Sequence, residues 1–166
     1  MKIHIIGCSG TGKTCLAEAL SQKYHILRYD LDELMWDNSG SYGVKRGTVE
    51  RDAMLREILA QPSWITEGVY YAWVGQCFAD ADVIYLLDIP PRVYKPRILL
   101  RHFRRRLGIE KGKKESLKSV CELLRWTDKF QRENMVEIRK ILKQYESKVV
   151  VIRSAREMNE VLWTKK

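Results

Sequence analysis

Short, dense apolar runs alternate along this chain with longer stretches in which apolar residues recur every three or four positions. The first run, "KIHII", is strand-like and ends at Gly7. After Lys13 the spacing changes: Leu16, Leu20 and Tyr24 fall four apart and so share one helical face. "HILRY" predicts a second strand. Residues 30–48 are acidic, aromatic and glycine-containing with no clean period, and read as loop with helix fragments. "VERDAMLREILAQ" predicts a short helix stopped by Pro62, and "WITE" a third strand cut by Gly68. "DVIYLLDIP" is the most continuous strand signal, apolar enough to be covered on both faces. Residues 90–107 predict a helix with Val93, Leu100, Phe103 and Leu107 on its apolar face, kinked or started at Pro96. "GIEKGKKES" reads as a flexible basic turn. Residues 117–145 predict one long amphipathic helix through Val120, Leu124, Phe130, Ile138, Leu142 and Tyr145. "KVVVIRS" predicts the last strand, and "AREMNEVLW" a closing helix.

Strands alternating with helices imply an α/β fold, a parallel sheet covered on both faces, with ligands bound beyond the carboxyl ends of the strands. No repeat, low-complexity tract or linker interrupts the pattern, so residues 1–166 are expected to form one domain, long enough to bury a core without metal or disulfide staples. No apolar run approaches the ~20 residues of a membrane span, and "MKIHII" does not read as a signal peptide. A cytoplasmic location without membrane contact is the expectation. Cys8, Cys15, Cys77 and Cys121 show no CxxC pairing and no histidines at metal spacing, and read as small packing residues.

Charge changes the picture in one place. The net charge is +9, and residues 92–118 hold eleven Lys and Arg against only Glu110 and Glu115, so that segment carries all of the excess. A neutral protein with one strongly basic element needs a reason for that element.

"GCSGTGKT", residues 7–14, satisfies G-x-x-x-x-G-K-[ST] in full, with a predicted strand before it and a helix after it. Glycines at 7, 10 and 12 let the backbone curl around an anion, so that successive N–H groups and the helix N-terminus point at it. Gly7, Cys8, Ser9, Gly10, Thr11, Gly12, Lys13, Thr14 and Cys15 are therefore the phosphate-binding candidates. Lys13 would reach the β- and γ-phosphates of a nucleotide, and the Thr14 hydroxyl would ligate Mg²⁺.

A magnesium–phosphate site wants a carboxylate at the end of a neighbouring strand. Glu67 ends "WITE" beside Gly68 and is the favoured ligand; Asp88 ends "VIYLLD" and is favoured as a helix N-cap. Asp32, in "YDLDEL", could accept a hydroxyl proton or orient an acceptor, with a helix cap as the competing role. Arg97 and Arg101 lie four apart on one helical face, continued by Arg104 or Arg105. Arginines so grouped stabilise the charge spread over a transferring phosphoryl group.

Together these residues resemble the nucleoside-monophosphate-kinase-like branch of P-loop proteins, of adenylate and shikimate kinase type. More closely, "GCSGTGKT", "YDLDELMW", "WITEGVY", "ADADVIYLLDIP" and "RILLRHFRRR" resemble the topology modulation proteins, kinases named for an effect on DNA topology. The resemblance implies a three-layer P-loop NTPase fold with a five-stranded parallel sheet in the order 2-3-1-4-5. It also implies an acceptor-binding region at about 31–61, using Asp32, Arg51, Gly68 and Tyr70, and a basic lid at about 104–118. ATP with Mg²⁺ would be the donor, its adenine near Ser154, Ala155 and Arg156. The chain departs from that family's pattern at Glu67 and Val69, where Asp and Asn are usual, and near Cys77, where an arginine facing the acceptor is expected.

The leading expectation is thus a kinase acting on a nucleotide or another small molecule, as a monomer or weak homodimer, with ATP or GTP preference left open. The competing one is a nucleotide-dependent regulator whose basic segment meets DNA. Against it, aromatic interleaving is slight (Phe103, Trp126) and no helix-turn-helix or zinc-finger motif is present.

Overall fold

The computed structural model describes residues 1–37, 44–109 and 116–163. The elements run β1 (Lys2–Gly7), α1 (Lys13–Tyr24), β2 (Arg28–Asp30), α2 (Leu31–Met35), β3 (Trp36–Asp37), β4 (Val44–Lys45), α3 (Thr48–Leu59) and β5 (Trp64–Gly68). They continue with α4 (Gly75–Asp80), β6 (Val83–Leu87), α5 (Pro91–Arg106), α6 (Leu117–Lys129), α7 (Met135–Leu142), β7 (Val149–Ile152) and α8 (Ala155–Trp163).

Five strands form one parallel sheet in the order β2-β5-β1-β6-β7, which is 2-3-1-4-5 when only these strands are counted. Helices flank the sheet on both sides, making the three-layer α/β fold implied by the sequence. The central strands show why the sequence chooses this arrangement. β5 is buried at every position and β1 at all but the first, as apolar runs must be when helices cover both faces. Ile3, Ile5, Ile6, Trp64, Ile65, Phe78 and Ile84 form the middle of the core, each side chain contributing about 1.5–3 kcal/mol by burial. The edge strands β2 and β7 are shorter and partly exposed.

Register carries this order to the carboxyl ends of the strands. Asp30 lies beside Glu67 across β2 and β5, Ile5 beside Glu67 across β1 and β5, and Gly7 beside Leu87 across β1 and β6. The loop after Gly7 and the carboxylates that end β2 and β5 therefore leave the sheet at the same edge.

Several sequence expectations change. Residues 30–48 hold not only a helix, α2, but a short antiparallel pair, β3 with β4; residues 38–43 of that expected region lie outside the described residues. The helix expected through Val93, Leu100, Phe103 and Leu107 instead buries Tyr94, Ile98 and His102, while Leu100, Phe103 and Leu107 are exposed. The face that packs is the one reaching the glycine loop: a Cβ built on Gly10 would stand 2.8 Å from Ile98 Cγ1. α5 starts at Pro91 and takes Pro96 inside. Proline has no N–H to donate, so it interrupts the backbone ladder without ending the helix. The long helix expected over 117–145 is broken by a π-helical turn at Phe130–Asn134 and ends in a 3₁₀ turn at Lys143–Lys148. Cys8 and Cys77 are packing residues as expected, whereas Cys15 and Cys121 are exposed. Glu110, Lys111, Lys113, Lys114 and Glu115 of the expected basic turn lie outside the described residues.

Candidate functional site

The loop between β1 and α1 is shaped by two glycines. Gly10 and Gly12 have φ of 78° and 100°, left-handed values that a side chain strains. Gly12 also opens α1, so the helix begins without a side-chain cap and its first N–H groups are left for a ligand. Thr11 tightens the turn, its hydroxyl donating to the Cys8 carbonyl at 2.7 Å. The Cys8 carbonyl also accepts from Lys13 Nζ at 3.0 Å. Lys13 is 9% exposed, and burial pushes its ammonium pKa down while the Glu67 carboxylate pulls it back up. A nearly buried ammonium held to its own loop's carbonyl is a group set up to exchange that carbonyl for an anion.

Across the loop, Thr14 Oγ1 donates to Glu67 Oε1 at 2.7 Å, and Glu67 is buried. The hydroxyl and the carboxylate are both hard oxygen donors of the kind Mg²⁺ takes, and they lie together beside the glycine loop. These residues fit the expected metal. Gly68 follows Glu67, and a Cβ there would stand 3.0 Å from Leu31 Cβ. The glycine lets α2 approach the end of β5.

α2 brings the next group. Asp30 caps the helix by accepting the N–H of Asp32 at 2.9 Å. The cap considered for Asp32 is thus supplied by Asp30. Asp32 instead accepts the Tyr70 hydroxyl at 2.6 Å. Burial and that hydrogen bond to Asp32 push the Tyr70 phenol well above its ordinary pKa, which keeps it a proton donor. Asp30 is itself pushed up to about 6, first by burial and then by the nearby charge of Glu67.

A cleft of about 1100 Å³ joins these pieces. Of the expected residues, Ser9, Gly10, Gly12, Lys13, Thr14, Cys15, Asp32, Glu67, Gly68, Tyr70, Arg97, Arg101 and Ala155 line it, together with Arg104 and Arg105. Gly7, Cys8 and Thr11 sit behind the lining as the buried base of the loop. Three further expected residues, Arg51, Ser154 and Arg156, are also absent from the lining. Arg51 pairs with Asp52, its Nε donating at 2.8 Å, and stacks 4.4 Å from the Trp73 ring centroid. Ser154 and Glu157 form a capping box at the start of α8, Ser154 accepting the Glu157 N–H and donating to its carboxylate. Arg156 is exposed and pairs with Glu160. Asp88 does not cap α5, whose first position follows Pro90 with no side-chain bond. Two bonds from Arg139, at 2.9 and 2.8 Å, hold it outside the cleft.

Asp30, Trp36, Leu123, Trp126 and Met158 also line the cleft, and none of them is among the expected site residues. Only Asp30 carried a readable signal, as the residue just before a helix start in "YDLDEL". The others reach the cleft from three separate elements, β3, α6 and α8.

No family model matches the chain. It is 30% identical over 104 residues to the uncharacterized protein YqaC of Bacillus subtilis (strain 168), a match covering 62% of this chain and 57% of that protein. Among solved structures it is similar to shikimate kinase from Acinetobacter baumannii in complex with shikimate, with a TM-score of 0.64 and 16% identity over 97% of this chain and 90% of that one. It is also similar to a gluconokinase from Sinorhizobium meliloti 1021, with a TM-score of 0.55 and 14% identity over 97% and 86% of the two chains. With both structures the chain shares its fold.

Proposed function

We propose that this protein is an ATP-dependent phosphotransferase that moves the γ-phosphoryl group to a small acceptor held beside Asp32 and Tyr70. The observation that carries the reading is the pairing, in one cleft, of a nearly buried Lys13 on a glycine loop with the Thr14–Glu67 contact across from it. The loop N–H groups and Lys13 would bind the β- and γ-phosphates, with Ala155 bordering the base. Thr14 and Glu67 would hold Mg²⁺, which when bound neutralises phosphate charge.

The chain's own residues account for the rest. Arg97 and Arg101 line the cleft from α5 and would stabilise charge on the equatorial oxygens as the phosphoryl group passes. Asp32 is oriented by Tyr70, which leaves its second oxygen to take a proton from the attacking group. The arginines facing the cleft favour this reading over a DNA-binding one, in which the basic helix would turn its charge outward. On the residues of "WITEGVY" and "ADADVIYLLDIP" we further assign the chain to the topology modulation proteins among these kinases.

The test is Lys13→Ala, read by calorimetry with Mg²⁺-ATP. The variant keeps the fold by circular dichroism and loses nucleotide affinity by about ten- to a hundredfold, the range of one lost charge-assisted hydrogen bond. Affinity equal to that of the parent overturns the reading.

A further inference from the structure

We infer that the acceptor is a hydroxyl compound carrying an ammonium group, held by Asp30, Asp32, Trp36 and Tyr70. The inference rests on the phosphotransferase reading and names the substrate class of that same cleft.

The charges lining the cleft come from different elements according to sign. Among the described residues, every positive charge in its lining comes from the glycine loop or from α5: Lys13, Arg97, Arg101, Arg104 and Arg105. The lining supplied by β2, α2, β3 and the end of β5 through Tyr70 holds three carboxylates and two aromatic rings and no cation, and Lys13 acts on Asp32 and Asp30 only through its charge. Glu67 is engaged by Thr14, on the side of the metal candidates. Asp30 and Asp32 are in no ion pair among the described residues. Asp30 takes only the N–H of its own helix, and Asp32 takes the neutral hydroxyl of Tyr70.

The basic residues that could answer them are spent elsewhere. Arg46 pairs with Glu50 on α3, and Arg51 pairs with Asp52 and lies on Trp73. Neither lines the cleft. A carboxylate- or phosphate-bearing acceptor would bring a third anion against Asp30 and Asp32, whose own elements offer no guanidinium to the cleft, a like-charge contact that disfavours binding. An ammonium group meets both carboxylates and an aromatic face at once. Trp36 already shows that its ring suits such a group, since Lys45 Nζ stands 5.8 Å from its centroid.

The transfer balances with these parts. The acceptor oxygen forms a bond to the γ-phosphorus, the bond from that phosphorus to the β–γ bridging oxygen breaks, and ADP leaves. The hydroxyl proton passes to the free oxygen of Asp32. The ammonium group is not consumed; it positions the hydroxyl.

The experiment uses the full chain and two matched sets: glucosamine, glucose and gluconate, and ethanolamine, ethylene glycol and glycolate. Adenosine monophosphate is the phosphate-bearing probe. Binding is read by calorimetry with and without Mg²⁺-ATP, and turnover by ADP release. In at least one set the amine binds about tenfold or more tightly than its neutral partner and gives the highest kcat/KM, while the acids and the monophosphate give no acceptor-dependent ADP. Trp36→Leu and Asp30→Asn each reduce the amine's advantage in binding and leave Mg²⁺-ATP affinity unchanged. An acid or the monophosphate as the best acceptor, or amines no better than their neutral partners, overturns the inference. So does the failure of both amines to bind. If the amines bind preferentially but Mg²⁺-ATP does not bind, the acceptor class stands and the phosphotransferase reading falls.

Discussion

Glu67 is 2% exposed and holds its carboxylate against Thr14. Its partner is a neutral hydroxyl, so glutamine can keep the shape and the hydrogen bond while removing only the charge. Glu67→Gln should therefore leave ATP bound and lower phosphoryl transfer by about a hundredfold, the usual cost of one lost electrostatic contact at the transferring group. Turnover at saturating Mg²⁺ measures it, and an unchanged rate removes Glu67 from the metal. Asp88 is a poor substitute, tied as it is to Arg139. Glycines in the same chain separate a demand of the loop from mere permissiveness. Gly10 has a φ of 78° and its Cβ would meet Ile98, whereas Gly75 starts α4 with nothing within 4 Å. Gly10→Ala should cost about 1–3 kcal/mol, and Gly75→Ala should gain about 0.4–1 kcal/mol by narrowing the unfolded ensemble. Urea midpoints of opposite shift are the expected result; a harmless Gly10→Ala contradicts the close seating of α5 on the loop.

That seating belongs to the scale of the element. α5 places Tyr94, Ile98 and His102 inward at four-residue spacing, which leaves Arg97, Arg101, Arg104 and Arg105 along the cleft. In the sequence the helix offers two apolar stripes, and the one with more leucine and phenylalanine is the exposed one. Hydropathy misleads here because His102 packs as a core residue, and because the choice of face is made by contact with Gly10, some ninety residues earlier. The strands and the glycine loop were legible for the opposite reason: their signals are local, a dense apolar run or a fixed spacing of glycines. The site was legible to the same extent. Lys13, Thr14, Glu67 and Asp32 stand at strand or helix ends that periodicity locates, while Trp36, Trp126 and Met158 are brought in by packing alone. Asp88 shows the same limit, since a cap is a local inference and Arg139 is a partner 51 residues away. The arginine stripe gives the element its own prediction. Arg101→Ala should lower acceptor-dependent turnover by about two orders of magnitude with a modest change in ATP affinity. If ATP affinity falls as far as turnover does, Arg101 binds the ground state and not the moving phosphoryl group.

Over the whole molecule, the sheet that presents the site is also where its acid sensitivity is built. His4 lies in β1, fully buried, with Nδ1 2.8 Å from Thr66 Oγ1 and the edge of its ring against Phe78. Burial pushes its pKa down from 6.5 to about 3. The folded protein therefore keeps His4 neutral over a range in which the unfolded chain takes up a proton. Above pH 6.5 the two states bind equally and nothing changes; below it the unfolded state gains protons, and stability falls as pH drops toward 3. The full span corresponds to several kcal/mol as an upper bound, at about 1.4 kcal/mol per pKa unit. Asp30 acts with the opposite sign: raised from 3.8 to about 6, it binds a proton in the folded state first, and so offsets part of the loss between those values. The two are separated by replacing the histidine with a residue that does not titrate. His4→Gln should be less stable than the parent at pH 7, because the ring's contact with Phe78 is lost. From pH 7 to pH 4, however, its urea midpoint should fall much less than the parent's, or even rise as Asp30 is protonated. Equally steep profiles for the two proteins would mean that His4 is not the group that admits acid into the sheet.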